Sequence, residues 1–319
     1  MALSQPPVVV VLRALGLGDF LTGVPALRAL SAASPGHEIV LAAPAAFRPL
    51  VRLAGVADRL HPTGGLDDLR WPGRPPEIAV NLHGRGPQSH WLLLELGPQR
   101  LVAFGCDEAG VAGPSWRPDE HEVTRWCRLV TEALGAPADP TDLRLPPPTD
   151  APSVDGAVVI HPGAAFASRQ WPVERFAEVA AWAASTGRHV VVTGSAAERG
   201  TAERVAAGAG LPAGSVLAGQ TTLLELAALV ASASLVICGD TGVAHLATAY
   251  RTPSVVLFGP VPPRQWGPPA SGPHITLWYG GVPGNPWGSS ADPALLQISV
   301  EAVVAASDQL LSHCGHGLT

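Results

Sequence analysis

The sequence predicts an α/β protein built as two doubly wound parallel-sheet domains facing across a cleft. Three observations predict it. The 319-residue length suits two domains at ~150 residues each. Short apolar runs, continuous rather than alternating, recur between helical patterns, as expected of strands buried on both faces. The segment LPPPTDAPS at 145–153 separates two such patterned halves and reads as a semi-rigid linker. The boundary is placed there, giving domains 1–150 and 151–319.

In the first half, Val8–Leu12 is a β-branched run that opens the sheet. GLGD at 16–19 reads as a turn, and 21–34 as an amphipathic helix ended by Pro35. A second strand follows at 38–42. The second half alternates more cleanly, with strands at 157–161, 189–193, 235–238 and 254–258. Between them fall helices at Val173–Ser185, 196–209, 222–233 and 243–250. Such alternation argues a parallel sheet, because each crossover helix must pack back onto it. Residues 267–292, rich in Gly, Pro and Trp, read as a long loop, and 298–311 has the spacing of a closing helix that can pack back on the first domain.

Composition narrows the function. Hydrophobic residues make up 47%, charged residues 14%, and the formal net charge is −6, which excludes a disordered chain and a generally basic nucleic-acid binder. All 20 basic positions are Arg. Schiff-base and P-loop lysine chemistry are therefore excluded, and any anion site must use Arg, backbone N–H groups or helix N-termini. Arg and acids are balanced across the boundary, 13 against 16 before it and 7 against 10 after it, so neither half is a basic arm. Cys106, Cys127, Cys238 and Cys314 are scattered without a C-x-x-C pair, which suggests neither disulfides nor a cysteine-rich zinc site and fits a reducing cytoplasm. The start, MALSQPP, lacks a basic n-region, and the longest apolar run, 226–238, falls short of the ~20 residues that span a bilayer. At most a peripheral membrane contact is expected. The tail HCGHG at 313–317 reads as a frayed end rather than a metal site.

Four stretches can carry chemistry. RALGLGDF follows the first strand, with Gly16 and Gly18 for a tight turn and Asp19 opening a helix at the ligand-binding edge of the sheet. Asp19 reads equally as a helix cap or a catalytic carboxylate. CGDTGVAHLATAY places Asp240, Thr241 and Gly242 between a strand and a helix, a natural cradle for a diphosphate, with His245 one turn on; caps and a core histidine are the competing readings. HPGAAFASRQWP sets Arg169 as a phosphate cation in a loop shared with Gly163 and Ser168, while Trp171 and Pro172 start the next helix. GSAAER places Glu198 where a carboxylate can hold a ribose diol or cap a helix. No G-x-S-x-G elbow, H-E-x-x-H, Walker A or Asp-x-Asp motif is present, and the G-x-G-x-x-G fingerprint of a dehydrogenase is broken at Leu21.

Together LGLGDFLTGVPALRAL, IHPGAAFASRQWPVERFAEVA, VVVTGSAAER, LAGQTTLLELAALVASASLVICGDTGVAHLATAYRTPSVVLFGP and PPRQWGP resemble glycosyltransferase family 9, the ADP-heptose:lipopolysaccharide heptosyltransferases. The resemblance runs over most of the chain. It implies the GT-B fold of two Rossmann-like domains, the first binding acceptor and the second the nucleotide-sugar donor. It implies that Asp19 is the base that deprotonates an acceptor hydroxyl, with Gly18 in its loop. Arg169 falls where the family usually has a Lys against the donor diphosphate. Glu198 and Thr221 fall near nucleoside contacts, and Asp240, Thr241, Gly242 and His245 on the donor motif, with Gly163 and Ser168 beside them. Arg13, His83 and Arg85 are the acceptor-side candidates, each also readable as a surface residue.

The implied reaction is inverting, metal-independent sugar transfer from a nucleotide diphosphate sugar, ADP-heptose first, to a hydroxyl acceptor such as an envelope glycan, glycolipid or natural product. No cofactor is expected. A silent nucleotide-sugar binding or scaffold protein and a sugar-nucleotide epimerase of the same fold are the rival readings.

Overall fold

The computed structural model describes residues 6–314, with side chains to residue 312. The first five residues and the side chains of the 313–317 tail lie outside the described residues. The chain divides into two compact units, 1–143 and 144–319. The division precedes the proline run because that run already belongs to the second unit, where the Leu145 N–H donates to Ala249 O (3.2 Å).

The first unit runs β1 (Val8–Leu12), α1 (Leu17–Ala33), β2 (Glu38–Ala43), α2 (Arg48–Ala54), β3 (Arg59–Pro62), β4 (Ile78–Asn81), α3 (Gln88–Leu94), β5 (Arg100–Val102) and α4 (Glu122–Leu134). Its sheet is parallel, in the order β3-β2-β1-β4-β5. The central strand is the apolar run VVVVL, and Val9 to Leu12 are each 0% exposed. Each such side chain contributes ~1.5–3 kcal/mol of transfer energy, which fixes β1 between covered faces. The expected turn at 16–19 is the first turn of α1. Gly16 is its N-cap with extended backbone, so glycine there is not needed for a left-handed turn. A Cβ at Gly16 would instead lie 3.2 Å from Asp19 Oδ2.

The second unit runs β6 (Val158–His161), α5 (Val173–Ser185), β7 (Val190–Val192), α6 (Arg199–Gly208), α7 (Leu223–Ser232), β8 (Leu235–Gly239), α8 (Gly242–Tyr250), β9 (Ser254–Leu257), α9 (Pro263–Trp266), β10 (His274–Leu277), α10 (Pro293–Leu296) and α11 (Val300–Cys314). Its parallel sheet is ordered β10-β9-β8-β6-β7. Trp171 is buried against Phe176, ring centroids 5.0 Å apart, and its indole N–H donates to Ile298 O (3.1 Å), so α5 and the start of the closing helix share one core. α11 packs on α5 and on β8, β9 and β10.

Two expectations need correction. The long loop at 267–292 contains the edge strand β10, hidden in sequence because all four of its residues are only half-buried and they alternate apolar with His274 and Thr276. The helix expected at 196–209 is a one-turn helix, Ala196–Glu198, followed by α6. No helix among the described residues is long and apolar enough to cross a membrane.

Candidate functional site

Strand order locates where each sheet opens. In the first unit the chain leaves β1 toward β2 and β3, then returns to place β4 on the other side, so the loops after β1 and β4 diverge. In the second unit the loops after β6 and β8 diverge for the same reason. Ligands of open α/β sheets sit at such switch points, outside the carboxyl ends of the strands. Asp19 and His83 follow β1 and β4, while Arg169 and Asp240 follow β6 and β8.

Asp19 is the third helical residue of α1, not its cap. Its Oδ2 accepts from the Gly16 N–H (3.1 Å), closing the first turn from within. Burial raises the carboxyl above its ordinary range, opposed by the Arg13 cation and assisted by the Glu122 anion. Gly18 lies beside it in the same turn. Arg13, expected at the surface, is 1% exposed. Its Nε donates to Asp19 O, Nη1 to Leu82 O and Nη2 to Thr22 Oγ1 (3.0 Å), and Glu122 Oε1 lies 3.6 Å from Nη2. The protein thus accepts a hydrogen bond from each of the three guanidinium nitrogens, with Glu122 beside them as counter-ion. Arg85 is exposed in the loop after β4. His83, half-buried in the same loop, has its imidazole pushed down to about 4 by burial and by Arg13, so it is neutral at physiological pH. Its Nδ1 is buried without a hydrogen-bond partner.

In the second unit, Arg169 ends a one-turn helix, Ala167–Arg169, and its Nη1 lies 3.9 Å from Asp240 Oδ2. Arg169 Nε is buried without a partner. Thr241 takes the N-cap position of α8 with extended backbone, yet its hydroxyl makes no cap bond and its Oγ1 is buried without a partner. Two unspent polar atoms thus flank the start of a helix whose N-terminus attracts anions. Gly242 begins that helix, and His245, half-buried, meets the Trp266 ring edge-on at 5.9 Å.

Glu198 packs over the glycine of the loop after β6: a Cβ at Gly163 would fall 2.2 Å from Glu198 Oε1. Its Oε2 also accepts from the Ser195 N–H (2.7 Å), so Glu198 does cap its helix while one oxygen reaches the sheet edge. Gly219, at φ 72°, passes within 2.8 Å (from its Cβ position) of Ala196 Cα, which lays the turn leading to half-buried Thr221 on the segment carrying Glu198. Ser168 does not join this group. Its hydroxyl donates to Pro286 O (3.0 Å) and its N–H to Gly288 O (3.1 Å), so it ties the one-turn helix to the 286–288 loop.

Two buried polar groups escaped the sequence reading. His161 ends β6 with its Nδ1 3.0 Å from Thr193 Oγ1; burial lowers its pKa against the opposing Glu198 charge. Asn81 ends β4, its Nδ2 donating to Ser89 Oγ (2.8 Å) and His90 Nδ1 (3.0 Å) and its Oδ1 accepting from the His83 N–H (2.9 Å), which shapes the loop carrying His83. A polar residue closing an apolar strand is the signal that could have found both. Among the described residues no three of His, Cys, Asp and Glu gather in a way that could hold a metal ion. A cavity of about 480 Å³ lined by Leu69, Trp71, Leu92 and Glu95 holds none of the residues above.

A family model, glycosyltransferase family 9 (heptosyltransferase), matches residues 114–278, just over half the chain. Lipopolysaccharide heptosyltransferase 3 of Escherichia coli is 33% identical over 159 residues, 48% of this chain and 46% of that protein, so the chain spans about half the length of this relative. Lipopolysaccharide heptosyltransferase 1 of Pseudomonas aeruginosa is 29% identical over 285 residues, 80% of this chain and 79% of that protein. In three dimensions, ADP-heptose lps heptosyltransferase II of E. coli superposes with a TM-score of 0.77 at 20% identity, covering 96% of this chain and 99% of that one. The two-sheet architecture is the one expected from the sequence.

Proposed function

The chain belongs to glycosyltransferase family 9, and on that premise we propose that it moves a sugar from a nucleoside diphosphate sugar to a hydroxyl acceptor, inverting the anomeric centre without a divalent ion. ADP-heptose is the first donor to test, and the acceptor is a hydroxyl-bearing glycan, glycolipid or small molecule. The observation that carries this reading is the pair of unspent atoms, Arg169 Nε and Thr241 Oγ1, at the N-terminus of α8 and at the switch point of the second sheet. Guanidinium, hydroxyl and helix N–H groups together suit two adjacent phosphates. Glu198 lies on the β7 side of them, where its carboxylate can accept from ribose hydroxyls.

In the reaction, the acceptor O–H proton passes to the Asp19 carboxylate as the oxygen attacks the anomeric carbon. The bond from that carbon to the diphosphate oxygen breaks with its electron pair, and Arg169 with the α8 N-terminus meets the charge that leaves. A carboxyl raised above its ordinary range is a stronger base than a solvated one, which supports Asp19 in this role.

The test is nucleoside diphosphate release from ADP-heptose by the full chain, with and without an acceptor panel, in the presence of a chelator. Release that requires acceptor, with product of opposite anomeric configuration, is expected. Donor conversion without acceptor would replace transfer by epimerisation or hydrolysis. Strict dependence on an added divalent ion would overturn the metal-free step.

A further inference from the structure

We infer that Arg13 is a positioning residue for Asp19, a buried guanidinium that fixes the main chain of the base and ties it to the loop carrying His83; the inference rests on the reading of Asp19 as the base. Arg13 follows β1 directly, and its fork reaches three other elements. On α1 it donates to Asp19 O and Thr22 Oγ1; after β4 it donates to Leu82 O; from α4 it faces Glu122. The Thr22 hydroxyl, which accepts from Arg13, itself donates to Asp19 O (3.0 Å), so the carbonyl of the base is held twice. The two loops that diverge at the switch point are thereby joined through one side chain.

The surroundings are built for this cation. A Cβ at Gly23 would lie 2.8 Å from Arg13 Nε, so α1 carries a glycine, a poor helix former, where the guanidinium must pass. The Trp126 ring lies 4.8 Å from the guanidinium carbon on the α4 side. Glu122 is itself fixed there, accepting from the Trp126 indole N–H (2.7 Å) and from Arg125. Arg125 in turn donates to the carbonyls of Arg117 and Glu120 (2.9 Å each) and lies over Trp116 at 4.1 Å. Lys offers three donors from one point and cannot serve acceptors on three elements at once.

The charged groups acting on the Asp19 carboxylate are Arg13 from the end of β1 and Glu122 from α4, with Arg125 behind Glu122; His83 from the β4 loop faces Arg13. Removing Arg13 leaves burial and Glu122, both of which raise the carboxyl; removing the Glu122 charge lowers it. The two changes should therefore move the acidic limb of the rate profile in opposite directions.

The experiment measures kcat, donor KM and kcat against pH for Arg13→Lys, Arg13→Met, Glu122→Gln and Asp19→Asn, with thermal melts for each. Arg13→Lys and Arg13→Met should lose ~100-fold in kcat, the scale of a misplaced reacting group, with donor KM within about twofold of the parent. The acidic limb should rise in Arg13→Met and fall in Glu122→Gln. Either a parental kcat and limb in a folded Arg13→Met, or limbs that fail to diverge, overturns the inference. If Arg13→Met does not fold, Glu122→Gln and Arg13→Lys decide alone: an unmoved limb in the first, or a parental kcat in the second, overturns it. Parental kcat in Asp19→Asn refutes the base itself, which separates failure of the premise from failure of the positioning role.

Discussion

Arg169→Lys asks whether the donor site uses the guanidinium fork or only its charge. Arg169 Nη1 stands 3.9 Å from Asp240 Oδ2, with side chains 28% and 10% exposed. At an effective dielectric of ~20 that separation corresponds to about 4 kcal/mol of attraction as an upper figure. A lysine ammonium near the same point keeps most of it, so apo stability should barely change. What Lys loses is the second parallel donor, the role available to the buried and unspent Nε. One charge-assisted hydrogen bond contributes ~1.5–3 kcal/mol, which corresponds to ~10–150-fold in Kd. Isothermal calorimetry with ADP on parent and variant reads this directly, beside a melt to confirm the fold. A variant Kd within about twofold of the parent would refute bidentate use of Arg169 and leave the all-Arg composition without meaning at this position.

Asp19→Asn should lower kcat by ~10²–10⁴ while keeping the fold, because an amide oxygen still accepts from the Gly16 N–H; single-turnover assays check it. For the parent, kcat should fall as pH drops through a carboxyl pKa raised above the ordinary range by burial, and an acidic limb at the value of a solvated aspartate would contradict that environment. Ser168→Ala removes the hydroxyl bond to Pro286 O and should cost about 1 kcal/mol in urea unfolding with ADP affinity unchanged; a lost affinity instead would return Ser168 to the donor site. Gly163→Ala places a methyl 2.2 Å from Glu198 Oε1, so it should destabilise by ~1–3 kcal/mol through overpacking and weaken ADP more than inorganic pyrophosphate, which has no ribose.

The fold was legible because continuous apolar strands such as VVVVL and LVICG can only be buried on both faces, and helices of matching length lie between them. The edge strand His274–Leu277 was not, since a strand with one neighbour needs no apolar run and Pro and Gly on both sides imitate a loop. The start of α1 misled for a different reason: two glycines at 16 and 18 look like a turn, yet Gly16 is an extended N-cap and Gly18 the second residue of a helix whose start is closed by Asp19. The candidate donor residues were legible only as separate strand-end loops. That Arg169 faces Asp240, and that Ser168 turns away to Pro286 across 118 residues, depends on pairings no local pattern encodes.

The sharpest lesson concerns the two arginines at the switch points. By sequence Arg13 reads as a surface residue after an apolar strand, and Arg169 as a phosphate cation in a strand-end loop with Gly163 and Ser168. Arg13 is 1% exposed and gives its donors to Asp19, Thr22 and Leu82 with Glu122 as counter-ion. Arg169 is partly exposed, faces one carboxylate and keeps a buried Nε unspent. Desolvating a guanidinium is costly unless its donors are matched. Arg13, with a protein acceptor at each of its three nitrogens and Glu122 beside it, serves the fold and what the fold positions; Arg169, with its Nε unmatched near the start of α8, is the cation that the proposed donor would complete. The same Arg→Lys change at the two positions should therefore part the two roles, lowering kcat at Arg13 and donor affinity at Arg169, although the substitution and the starting residue are identical.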